Sequence, residues 1–126
     1  MNSDALLYDR LLRFLRRERE KRGPVMIPAP AIVAAAKESK LSLSDEKIRE
    51  AVHALRIAGQ PIASSATKPA GYLFAVYRDE LEHTRASLLS RETKIREARE
   101  ALERTMRNLP ERPGSSAVDS SGKEAA

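Results

Sequence analysis

The chain has 126 residues, 41% of them hydrophobic and 33% charged, with three Tyr, two Phe, no Trp and no Cys. That length suits one small domain with appendages. The composition excludes a disulfide scaffold, thiol nucleophiles and thiolate zinc sites, and is too poor in aromatic and β-branched residues for a strand-rich sandwich. Lys and Arg outnumber Asp and Glu by 23 to 18, a formal charge of +5 that favours polyanionic partners, nucleic acid first among them. No stretch approaches the ~18 consecutive apolar residues of a membrane-crossing helix. Residues 1–10 carry Asp4 and Asp9 and lack the basic start and apolar run of a secretory signal, so a cytoplasmic protein is expected.

A first helix is predicted from Asp4 to Arg22, where neither Gly nor Pro occurs and Leu7, Leu11, Phe14 and Leu15 recur at helical spacing before Gly23-Pro24 ends it. Its second half is basic. Arg16, Arg17 and Arg19 read either as a solvated end complementing the helix dipole or as an arm that contacts phosphate. Val25 to Ile27, between Pro24 and Pro28, is long enough for one short strand. A second helix follows with Pro30 in its first turn, and the run Ala34 to Ala36 is expected to let a neighbouring helix approach closely.

After a break at Glu38 to Leu43, Ser44 reads as the N-cap of a third helix with Asp45 and Glu46 in its first turn. Ile48, Ala51, Val52 and Leu55 make one apolar face and Gly59 the stop, with Lys47, Arg49, Glu50, His53 and Arg56 outside that face. Residues 61–65 and 71–75 are predicted to pair as a β-hairpin around the loop that holds Lys68, with Tyr72 and Phe74 capping the helical core. From Arg78 to Leu109 there is again no Gly or Pro, which predicts a helix of about 48 Å. Leu81, Leu88, Ile95 and Leu102 repeat at seven-residue spacing, but Thr84, Arg91, Ala98 and Thr105 make a poor second seam. Glu92–Arg96, Glu100–Arg104 and Glu103–Arg107 are spaced for ion pairs. The segment 110–126, rich in Ser, Gly, Pro and Ala, is expected to be disordered.

The order helix, short strand, helix, capped helix, hairpin is that of a winged helix-turn-helix. The run Leu43-Ser44-Asp45-Glu46-Lys47-Ile48-Arg49-Glu50-Ala51-Val52-His53-Ala54-Leu55-Arg56, then Ala58-Gly59-Gln60-Pro61-Ile62-Ala63-Ser64-Ser65 and Gly71-Tyr72-Leu73, resembles the biotin-repressor-like winged helices. It is similar above all to small phage and prophage DNA-binding proteins that add a charged C-terminal helix. The resemblance implies that the helix opened by Ser44 is the recognition helix and that residues 64–71 form the wing. The family's usual Gly between the second and third helices is replaced here by Lys37-Glu38-Ser39-Lys40-Leu41-Ser42, so an altered crossing angle of that pair is expected. The expected wing carries a single cation, Lys68.

These readings give a mainly α fold with a small β-hairpin: a winged helix-turn-helix domain over 4–77, a long charged helix over 78–109 and a tail over 110–126. The expected function is sequence-specific binding of double-stranded DNA. Lys47, Arg49 and His53 would read bases, Ser44 would cap or touch phosphate, Glu46 and Glu50 would accept from cytosine amines or repel the backbone, and Lys68, Arg16, Arg17 and Arg19 would hold phosphates. Leu81, Leu88, Ile95 and Leu102 would pair two protomers, or fold back on the first helix. The alternative is a protein-interaction module that uses the long helix, such as a phage-encoded inhibitor. No cofactor is expected and catalysis is not, since His53 and His83 stand apart from any nucleophile or metal-binding pattern.

Overall fold

The computed structural model describes residues 3–114, so most of the expected disordered tail lies outside the described residues. Four helices and one hairpin follow in the order α1 (Ser3–Arg22), α2 (Ala29–Glu38), α3 (Asp45–Ile57), β1 (Ile62–Ser65), β2 (Gly71–Phe74) and α4 (Glu82–Arg107). A 3-10 turn, Arg78–Leu81, precedes α4. Among the described residues no helix is long and apolar enough to cross a membrane. The chain divides into two compact units between Leu88 and Leu89.

The core of the first unit is built where α1, α3 and the hairpin meet. Leu11 and Leu15 of α1, Ile32 of α2, Ile48, Ala51, Val52 and Leu55 of α3, and Ile62 of β1 are all buried in one cluster. Tyr8, Phe14, Tyr72 and Phe74 lie partly buried against it, so the hairpin aromatics do cap the helical core. Each large aliphatic side chain removed from water in this way contributes roughly 1.5–3 kcal/mol before entropy is charged against it.

β1 and β2 are antiparallel, with Ala63 opposite Leu73 and Ser64 opposite Tyr72. The predicted strand before α2 reduces to one residue: Ile27 and Tyr72 exchange both backbone hydrogen bonds, at 2.8 and 3.0 Å. Gly71 makes this possible. A Cβ there would lie 2.3 Å from the Ile27 carbonyl oxygen, and the residue has a φ of +143°.

Helix ends follow their caps. Pro30 sits in the first turn of α2, and the Ser44 Oγ accepts from the Lys47 amide at 3.1 Å to open α3. α3 closes in a Schellman motif, with Gly59 at a φ of +95° and the Gln60 amide bonded to the Leu55 carbonyl. α2 closes the same way without a glycine. Lys40 adopts a φ of 61°, its amide bonds to the Lys37 carbonyl at 2.9 Å, and the Leu41 amide bonds to the Ala36 carbonyl at 2.8 Å. A lysine thus occupies the left-handed position for which glycine is the unstrained residue.

The last helix starts later than the sequence suggests. Residues 78–81 wind as a 3-10 turn because the Glu80 carboxylate turns back to accept the Val76 and Tyr77 amides at 2.8 and 3.2 Å. The first turn of α4 belongs to the first compact unit, which therefore runs on past residue 77 to Leu88. Thr84, which the heptad reading treats as a gap in a seam, is buried instead, 5% exposed. In the second unit Leu89, Ile95, Leu102, Met106 and Leu109 are all exposed. Among the described residues the ion pairs formed there join Arg99 to Glu103 at 3.0 Å and, more loosely, to Glu100 at 4.0 Å, not the three pairs read from spacing.

Lys40 is exposed and outside the core, so replacing it by Gly removes only the left-handed penalty, and Lys40→Gly should raise the free energy of unfolding by roughly 0.5–1 kcal/mol. Urea denaturation followed by circular dichroism checks this, and an unchanged or lowered midpoint would contradict it.

Candidate nucleic-acid interface

Burial of Ile48, Ala51, Val52 and Leu55 sets which way α3 faces. Successive side chains are turned by about 100° around the axis, so Glu46, Arg49, Glu50, His53 and Ile57 form the opposite stripe, and all five are exposed. The Arg49 guanidinium has no hydrogen-bond or ion-pair partner among the described residues. Lys47 is half exposed and lies 3.8 Å from Glu50 and 4.0 Å from Asp4 of α1, long contacts that hold it weakly. Ser44 is exposed, and its oxygen is already engaged as the cap of α3. Lys68 is exposed in the loop between the two strands. Asp45, Glu46 and Glu50 place three carboxylates beside Lys47 and Arg49, so this surface carries both signs of charge.

The three arginines of α1 predicted to contact phosphate have different surroundings. Arg16 is exposed and its guanidinium sits 5.5 Å from the centroid of the Phe74 ring, a cation–π contact with β2. Arg17 lies on the side of α1 that faces α2. Arg19 is withdrawn from the surface: its side chain is 11% exposed, and its two terminal nitrogens each reach a Glu80 oxygen at 2.9 Å. Adjacent positions on one helix point in different directions, which is why a cationic run in sequence is not a cationic row in space. Arg19 is thus corrected from a phosphate contact to half of a structural ion pair.

Two further side chains position the site and were not singled out as such. Arg56, at the end of α3, donates from Nε to the Ile62 carbonyl at 2.9 Å and from Nη2 to the Ser64 hydroxyl at 2.8 Å. Thr84 closes the same strand: its hydroxyl accepts the Ser64 amide at 3.0 Å and donates to the Ser64 carbonyl at 3.1 Å. The outward polar groups of β1 are therefore occupied by side chains, which protects an edge strand from pairing with another chain. The alternation of β1 could have flagged these unpaired groups; nothing in the spacing identified Arg56 or Thr84 as their partners.

Hydrogen bonding by the Arg19 guanidinium, then by the Val76 amide, holds the Glu80 carboxyl at about 2 against an ordinary value of 4.5. Of the expected dimer contacts, Leu81 is half-buried, whereas Leu88, Ile95 and Leu102 are 40%, 69% and 64% exposed. Compared with models of known protein families, with curated proteins and with solved structures, the chain matches none.

Because the ionised form of Glu80 is the one favoured by the fold, its contribution is complete above pH 4.5 and lost as pH falls toward about 2. Glu80→Gln should cost about 1 kcal/mol at neutral pH, the net worth of a charge-assisted contact near the surface. Denaturant titrations of both proteins should show that difference shrinking as the solution is acidified through this window; a difference independent of pH would contradict the assignment.

Proposed function

We propose that the chain is a sequence-specific double-stranded DNA-binding protein of the winged helix-turn-helix type, a small transcriptional regulator or mobile-element accessory that acts as a dimer. The observation that carries this reading is the outward, unpartnered guanidinium of Arg49 on a helix whose other face is closed into the core. A major groove admits such a helix, and a planar guanidinium suits bidentate pairing with guanine. Lys47 and His53 flank it as further base contacts, while Ser44, Lys68 and Arg16 serve the phosphates. The carboxylates Asp45, Glu46 and Glu50 make non-specific attraction weak and shift the weight of recognition to base edges. Glu50 also offers an acceptor for a cytosine amine.

One domain of this size buries a modest DNA interface, so specificity gains from two copies on a repeated site. The exposed Leu88, Ile95 and Leu102 of α4 supply an apolar stripe for that pairing. The same stripe supports the second reading, a module that binds another protein through α4 and leaves DNA alone.

Selection of bound duplexes from a random pool, followed by fluorescence anisotropy on the selected sequence, tests the proposal. Arg49→Ala should lose about 1–3 kcal/mol of discrimination between that sequence and random duplex. Lys68→Ala should weaken both equally and make log affinity less steep in log salt by roughly 0.9. No duplex binding at low salt would overturn the DNA reading and leave the protein-interaction one. Sedimentation at tens of micromolar should show a dimer that Ile95→Asp converts to monomer; a monomeric parent chain would contradict the pairing.

A further inference from the structure

α1 packs on α3 and β2, α2 packs on α3, and the two helices leave a groove of about 600 Å³ between them. The alanine run of α2 forms one wall of this space, with Ala36 buried and Ala35 half-buried along the groove. Leu7, Phe14 and Leu41 complete a floor that stays partly open to solvent. The volume lies within the roughly 300–1,000 Å³ typical of binding clefts.

Its charged rim is mainly cationic, four Arg and Lys side chains of α1 against the carboxylates Glu18 of α1 and Glu38 of α2. Arg10, Arg13, Arg17 and Lys21 line the same flank over about 16 Å, at 1.5 Å per residue. Arg13 is paired with Asp9 at 3.0 Å and Lys21 lies 3.8 Å from Glu18, whereas Arg10 and Arg17 have no ion-pair partner among the described residues. Glu18 is itself taken up by Arg22 and Lys21. The groove thus combines an apolar floor with a row of cations about three helical turns long.

We infer that this groove between α1 and α2 docks an acidic amphipathic helix of a partner protein, with apolar residues on the floor and carboxylates against Arg10 and Arg17. Helix-in-groove recognition needs both features, an apolar channel for i, i+3 and i+7 anchors and a charge that fixes orientation. Nucleic acid would use the cations and leave the floor uncovered. A second copy of α4 has the apolar stripe but the wrong charge, since residues 89–107 carry six cations against four carboxylates.

The test uses the full chain and a fluorescein-labelled, end-capped helix of about 14 residues with Leu on one face and Glu on the other. Anisotropy should show salt-sensitive binding of this peptide, little of its Lys-for-Glu counterpart and little of a scrambled order of the same residues. Arg10→Ala with Arg17→Ala should weaken binding at least about tenfold, as should Ala35→Phe, which fills the floor. Circular dichroism verifies that each variant is folded; both arginines are on the surface, so that pair decides the matter if Ala35→Phe does not fold. Equal binding of the scrambled peptide, an unchanged affinity in the double-arginine variant, or displacement by laurate or random duplex at lower concentration than by unlabelled peptide would each overturn the inference. So would self-association of the chain that disappears in the double-arginine variant, which would assign the groove to a second copy.

Discussion

Ile48 and Ala51 have no exposed surface, and Val52 and Leu55 are nearly as deep. Their burial against Leu11 and Leu15 of α1, Ile32 of α2 and Ile62 of β1 is the constraint on which the rest of the molecule rests. A helix with that face fixed has no freedom left about its own axis, because turning it by one residue, about 100°, would swing an apolar stripe of about that width out of the core and bury charge in its place. Arg49 and His53 face outward as a direct consequence. The functional proposal therefore uses side chains whose direction is decided by residues that would never touch DNA.

The hairpin depends on contacts from outside itself. Two strands of four residues are marginal alone in water. Here one side of β2 is held by Ile27 across the space that Gly71 leaves open, and the outer side of β1 is closed by Arg56 and Thr84. Glu80 then ties the segment after the hairpin to α1 through Arg19. Two polar side chains from separate places in the sequence, Arg56 and Thr84, thus satisfy outward polar groups of β1, and the loop bearing Lys68 extends from a fixed base.

The four helices and the hairpin were legible in the sequence because their signals are local. Ser44, Pro30 and Gly59 act within a few residues of themselves, and the apolar spacing of α3 is regular. What was not legible depends on partners far along the chain or on the third dimension. Arg19 and Glu80 are 61 residues apart and Ser64 and Thr84 are 20 apart, so nothing local marks either pair. The arginines of α1 looked like one patch because neighbours in sequence were read as neighbours in space. The groove beside the alanines of α2 was not legible either, because it depends on α1 and α2 each resting on α3. Lys40 stands where glycine was missed, and the Schellman hydrogen bonds form around it regardless.

Amide chemical-shift mapping of the isotope-labelled chain on addition of a selected duplex is the most direct test of the central claim. The account predicts that the largest changes fall on Lys47, Arg49 and His53 and on the loop around Lys68, with the core positions Ile48, Ala51 and Leu55 following only as their helix responds. Changes confined to residues 89–109, or to the groove side of α1 around Arg10 and Arg17, would contradict it.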